Sequence, residues 1–117
     1  MITGVDHFAI IVSSEDVVSF YKKLGFEEVF RKKRSYDTVV LLDGFGTRME
    51  IFIDSRHPMR AIKPENLGLR HLALKVDQIE KTAEELKIKI GTIQNDWMGI
   101  RFAYVKDPDG NSVELHE

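Results

Sequence analysis

Short apolar runs over 4–12 and 69–76 each predict a strand. Behind the first run, Val17, Val18, Tyr21 and Leu24 recur at helical spacing. Ser14 precedes them and Gly25 follows, the residue types that start and stop a helix. Behind the second run, Asp77 is a candidate N-cap with Glu80 three residues on, and Ile79, Ala83 and Leu86 form the apolar stripe. Three strand-like stretches then follow in each half, at 26–32, 36–43 and 47–53, and at 89–95, 100–106 and 111–116. Asp107-Pro108-Asp109-Gly110-Asn111 is a turn signal, and Asp43-Gly44-Phe45-Gly46 stands in its place in the first half. The pattern predicts β-α-β-β-β twice.

The two halves also match residue by residue. His7-Phe8-Ala9-Ile10-Ile11-Val12 resembles His71-Leu72-Ala73-Leu74-Lys75-Val76, 64 positions later. The same offset carries Asp43 to Asp107, Gly46 to Gly110 and Met49-Glu50-Ile51 to Val113-Glu114-Leu115. One ungapped offset that matches both histidines, both glutamates and their neighbours indicates two copies of one unit, about 1–62 and 65–117. Lys63-Pro64-Glu65-Asn66 is the joint, because proline interrupts helix and ladder alike.

Side chains alternate faces along a strand. On the strands that carry the repeated residues, one face reads Phe8, Ile10, Val12, then Met49, Ile51, Ile53, then Leu72, Leu74, Val76, then Val113 and Leu115. That face is apolar throughout and is expected to pack on the helices. The other face holds His7, Glu50, His71 and Glu114. A glutamate set among apolar neighbours is costly unless it is paired or bound to a metal. Taken singly, each histidine reads as a satisfied core residue and each glutamate as half of an ion pair, with Arg48 or Lys75 as partner. Their recurrence at one offset favours a shared centre related by pseudo-twofold symmetry. Imidazole with carboxylate suits Zn, Ni, Mn, Co or Fe, and four protein ligands would leave two positions for a substrate.

Composition narrows the chemistry. The 117 residues are 43% hydrophobic and 31% charged, which is globular. The net charge of −2 leaves no electrostatic footprint for nucleic acid or an anionic membrane. Absence of cysteine removes thiolate catalysis, disulfides and thiolate metal sites. No apolar run approaches the roughly 18 residues of a membrane helix, and the first residues lack a signal-peptide pattern. A cytoplasmic domain without nucleic-acid or membrane partners is expected.

The paired βαβββ pattern, His7, Arg70-His71-Leu72-Ala73-Leu74 and Asp107-Pro108-Asp109-Gly110-Asn111 with Glu114-Leu115 resemble the vicinal oxygen chelate superfamily. Glyoxalase I, methylmalonyl-CoA epimerase, extradiol dioxygenases, fosfomycin-modifying enzymes and bleomycin-binding proteins are its members. Small bacterial glyoxalase-like proteins look most similar. The resemblance implies an α+β fold in which two βαβββ modules form a curved mixed sheet around a metal-binding cup. It implies one divalent ion held by His7, Glu50, His71 and Glu114, and a homodimer. In some members one chain supplies all four ligands, and in others each site draws two from each chain.

A carboxylate at position 50 resembles glyoxalase I rather than the three-ligand dioxygenases and fosfomycin enzymes. The implied activity is that of a metal-dependent lyase or isomerase moving a proton on a small vicinal-oxygen substrate. Glu114 is the first candidate base, with Glu50 opposite. Glutathione-dependent members carry an Arg four residues after the first ligand and an Asn four after the second; here these positions are Ile11 and Asp54. That departure disfavours glutathione. An Fe(II) ring-cleaving dioxygenase and a non-catalytic binding or resistance protein are the alternatives. Arg101 is expected to lie across from His116 on the ligand face, if Lys106 pairs with Asn111 in a tight hairpin. Arg70, Trp97 and Met98 are candidates for the mouth. His57 reads as a loop residue, His116 as a neighbour of the site, and Arg31-Lys32-Lys33-Arg34 as a solvated hairpin tip.

Overall fold

A computed structural model describes residues 1–117 as two compact units, Met1–Pro58 and Met59–Glu117. Unit 1 contains β1 (Phe8–Val12), α1 (Glu15–Leu24), β2 (Glu27–Lys33), β3 (Thr38–Gly44) and β4 (Thr47–Ile53). The strands order as β1-β4-β3-β2, with β1 parallel to β4 and the other pairs antiparallel. A short hairpin joins β3 to β4, whereas β1 and its parallel neighbour are separated by the helix and two strands.

Helix α1 follows its sequence signals. The Ser14 hydroxyl accepts from the Asp16 backbone N–H, and Gly25, at φ 122°, donates back to the last turn. The positive φ is what requires glycine here, since a Cβ would meet only the tip of the exposed Phe45 ring, at 2.8 Å. Val17, Val18, Tyr21 and Leu24 are all buried, against a sheet face that includes Val12, Val40, Leu42, Met49 and Ile51. The edge strand β2 is bulged between Glu28 and Phe30 and carries Lys32 and Lys33, both of which discourage edge-to-edge pairing.

Arg31 ties that edge down by contacting Glu15 of α1 and Glu28, while Lys22 reaches Glu28 at 2.9 Å. Hydrogen bonds from Arg31, then Lys22, hold the Glu28 carboxyl at about 2 against an ordinary 4.5. A depressed folded-state pKa contributes stability above the unfolded value that is lost as pH falls through the folded one. Unfolding midpoints in urea should therefore fall less between pH 4.5 and about 2 in Glu28→Gln than in the parent chain. Equal acid sensitivity of the two proteins would refute this.

Unit 2 contains β5 (Leu72–Lys75), α2 (Ile79–Leu86), β6 (Gln94–Asn95), β7 (Arg101–Lys106) and β8 (Ser112–His116), ordered β5-β8-β7-β6. Strand β5 is parallel to β8, as β1 is to β4. Ile79, Ala103 and Leu115 form the buried centre, with Leu74, Val76, Ile88, Ile90 and Ile93 against it.

Several boundaries differ from the sequence expectation. Strands β1 and β5 begin at Phe8 and Leu72, because the residues before them have no ladder partner. The stretch 89–95 yields only a two-residue strand; its isoleucines pack on the core, Gln94 and Asn95 pair with β7, and the Gly91 N–H donates to the Tyr104 carbonyl at 2.9 Å. Helix α2 has Gln78, not Asp77, at its N-cap, with no side-chain cap. Its Ile79 N–H instead donates to the Glu117 carboxylate at 3.0 Å, and Glu80 turns to Arg101. A distant carboxylate has replaced the local capping box. No helix is long and apolar enough to cross a membrane.

The largest correction concerns register. Lys106 pairs with Ser112 rather than Asn111. The reason is Asp107, only 3% exposed, whose carboxylate accepts from the backbone N–H groups of Asp109 and Asn111 and from the Asn111 side chain. These bonds keep Asn111 inside the loop. The hairpin of unit 1 closes with Gly44 opposite Thr47, a tighter turn.

Candidate metal and substrate site

The parallel pairing of β1 with β4 sets Ala9 beside Glu50 and Phe8 beside Met49. His7 stands one residue before the strand, on the same side as Glu50, and its Nε2 lies 3.4 Å from Glu50 Oε2. Unit 2 repeats the arrangement. Ala73 is the partner of Glu114, and His71 Nε2 lies 3.3 Å from Glu114 Oε2. All four side chains occupy the sheet face opposite the core. His71 and Glu114 are the more enclosed pair, at 22% and 13% exposed against 39% and 25%.

These distances bear directly on metal fit. Two atoms bound to one ion at about 2.1 Å stand about 3.0 Å apart at a right angle and about 3.4 Å apart at a tetrahedral angle. Both Nε2–Oε2 separations lie in that interval and exceed the usual length of a hydrogen bond. His7 has a further feature of a ligand. Its Nδ1 faces Asp6 Oδ1 at 2.7 Å, the kind of carboxylate partner that the second nitrogen of a ligating histidine commonly has. Asp6, and after it Glu50, raises the His7 pKa. In unit 2 the corresponding Nδ1 of His71 is buried without a partner. Within either unit the chain gathers one His–Glu pair and no cluster of three or more such side chains.

Neither of the basic partners considered from the sequence pairs with either glutamate. Arg48 is held by Asp43 through two bonds of 2.7 and 2.9 Å, and Lys75 joins no ion pair. Each glutamate has its histidine as sole ion-pair partner.

The shifted hairpin relocates other candidates. Arg101 does not stand across from His116; it binds Glu80 and Glu117, and Phe102 takes the place opposite His116. Tyr104, which the sequence reading did not single out, pairs directly with Glu114. Its ring meets His71 edge-on at 5.3 Å, and its hydroxyl accepts from Arg70 at 3.3 Å. Arg70 also binds Glu65. Only the register, not residue type, could have revealed Tyr104. Trp97 and Met98 are 94% and 72% exposed in the turn after β6. His116, on the Glu114 face, meets Asp96 at 3.2 Å, and His57 meets Asp54 at 3.3 Å. Of the basic run expected at a hairpin tip, Arg31, Lys32 and Lys33 lie in β2 instead, and only Arg34 enters the 34–37 tip, where it binds Asp37.

Comparison with known proteins identifies the family and the fold. Residues 4–115 match the family model described as Glyoxalase/Bleomycin resistance protein/Dioxygenase superfamily. The YwkD protein of Bacillus subtilis (strain 168) is 37% identical across 100% of this chain and 98% of its own. A glyoxalase family protein from Enterococcus faecalis superposes with a TM-score of 0.88 at 35% identity, over 97% of each chain. An E126Q mutant of the fosfomycin resistance protein FosX from Listeria monocytogenes, complexed with Mn(II) and 1S,2S-dihydroxypropylphosphonic acid, shares the fold. Its TM-score is 0.71 at 20% identity, covering 99% of this chain and 92% of that one. With the match spanning both βαβββ units from residue 4 to residue 115, this chain belongs to the Glyoxalase/Bleomycin resistance protein/Dioxygenase superfamily.

Proposed function

We propose that this chain is a divalent-metal-dependent lyase or isomerase of the glyoxalase I kind, acting by proton transfer on a small substrate with two neighbouring oxygens. The observation that carries this reading is the matched spacing of His7–Glu50 and His71–Glu114, each at the separation of two ligands of one ion. The ion is Zn, Ni, Mn, Co or Fe, held by one pair of each kind, drawn from one chain or from two copies in a homodimer. Bound there, it would supply positive charge beside the substrate's oxygens.

The chain's own groups do the rest. Glu114, at 13% exposed the more enclosed of the two glutamates, removes the C–H proton. Glu114 then returns that same proton to the neighbouring carbon, and Glu50 stands on the opposite side of the same centre as the second candidate carboxylate. Tyr104 packs on His71 and holds that imidazole's orientation. The domain works on small molecules in the cytoplasm.

Elemental mass spectrometry on tag-free protein tests the metal, as isolated and after reconstitution with Ni, Zn, Mn and Fe(II). About one ion per chain is expected. Deuterium exchange at the carbon beside a substrate carbonyl tests the chemistry, and Glu114→Gln should abolish it while retaining most of the metal. Absence of metal under every condition sinks the enzyme reading and leaves a binding protein. Selective retention of iron with oxygen uptake replaces the lyase by an oxygenase.

A further inference from the structure

We propose that Asp6 is a positioning residue that makes His7 the stronger ligand of the two histidines, and that unit 2 has no counterpart to it. The inference rests on the metal-dependent reading above and concerns how unequally the two imidazoles would hold the ion.

The two His–Glu pairs match, but what lies behind each imidazole does not. In unit 1, Asp6 Oδ1 stands 2.7 Å from His7 Nδ1, while Nε2 is the nitrogen beside Glu50. Asp6 is 91% exposed and precedes the first ladder residue of β1, so no strand pairing depends on it. Arg48 lines the same cleft as Asp6 but is occupied by two bonds to Asp43. Asp6 is thus left to His7.

The offset of 64 carries Asp6 to Arg70. A carboxylate is thereby replaced by a guanidinium, which has donors and no acceptor. Arg70 donates to Glu65 at 2.9 Å and to the Tyr104 hydroxyl at 3.3 Å. His71 Nδ1 is buried with no hydrogen-bond partner, and the ring is steadied by its edge-on contact with Tyr104.

A neutral imidazole that ligates through Nε2 carries its proton on Nδ1. Behind His7 that N–H would donate to a carboxylate, which fixes the rotation of the ring and raises the basicity of Nε2. Behind His71 the same N–H would be buried and unpaired, which penalises the bound form. Two matched pairs therefore offer unequal imidazoles, and the difference traces to one exposed side chain.

Affinity is measured by competition titration with Zn and Ni, and the ring protons by nuclear magnetic resonance of the Zn-loaded protein. In the parent chain the His7 Nδ1 proton should lie downfield of that of His71. Asp6→Ala should move the His7 proton upfield, leave the His71 proton in place and weaken both metals about tenfold. That is the low end for such partners, because Asp6 is open to water. Asp6→Asn, which keeps an uncharged acceptor, should fall between the parent and Asp6→Ala. The loss should persist at about 1 M salt, which screens a charge that acts without a contact. A loss that vanishes in salt, equal affinity in parent and Asp6→Ala, or coincident ring protons in the parent overturns the proposal and leaves the metal-dependent reading standing. A parent chain that binds neither metal sinks both.

Discussion

Replacing His71 by alanine is expected to weaken binding of a divalent ion by more than about a hundredfold, since even partners outside the coordination sphere are worth ten- to a hundredfold. His71 is chosen over His7 because its pair with Glu114 is the more enclosed, at 22% and 13% exposed. Water is therefore less able to replace the lost nitrogen. The substitution also leaves Glu114 without its one ion-pair partner, beside Tyr104. His116→Ala is the matched control. It sits on β8, on the same face as Glu114, but its Nε2 is engaged by Asp96. Equilibrium dialysis with Ni or Zn should show the loss in His71→Ala and near-parent affinity in His116→Ala, with circular dichroism confirming the fold of both. Retention of metal by His71→Ala, or an equal loss in both variants, would remove His71 from the ligand set.

The part of this site that could be read from the sequence is the part fixed by period-two alternation. An alternating strand commits every side chain to a face, so His7, Glu50, His71 and Glu114 were placed opposite the core without knowing any contact. Helix α1 was equally legible, because Ser14 and Gly25 act on backbone groups within four residues of themselves. The apolar stripe placed α2 as well, but not its N-cap, since its first amide is satisfied by Glu117, 38 residues away. Nothing local at Asp77 reports that. The pairing of Arg101 was lost for a related reason. An offset of 64 holds along β1/β5 and β4/β8, yet Glu50 stands opposite Leu41 and Glu114 opposite Tyr104, so the hairpin of unit 2 is one residue longer. A single residue in a turn moves every side chain of the preceding strand to the other face. The ion pairs of Arg48 and Arg56 were hidden too, because they depend on which rotamer an exposed guanidinium adopts beside a neighbouring aspartate.

That one-residue difference makes Asp107 the position where fold and site meet. Asp107→Ala is expected to cost about 2–4 kcal/mol, from the loss of a nearly buried charged acceptor and the exposure of three donors to no partner. The donors are the Asp109 and Asn111 N–H groups and the Asn111 amide. Without them Asn111 is free to pair with Lys106, the register that the turn sequence alone suggests. In that register Tyr104 would leave the face of Glu114, and Arg101 would come to it. Asp107→Asn keeps one acceptor oxygen and should retain a good part of the stability. Urea unfolding gives the energy, and a nuclear Overhauser contact between strands β7 and β8 gives the register. Metal affinity is the third readout, because a slipped β7 takes away the ring that packs on His71. Destabilisation below about 1 kcal/mol, the net worth of one ordinary hydrogen bond, with Tyr104 still opposite Glu114, would show that the Asp107 bonds follow the register rather than set it.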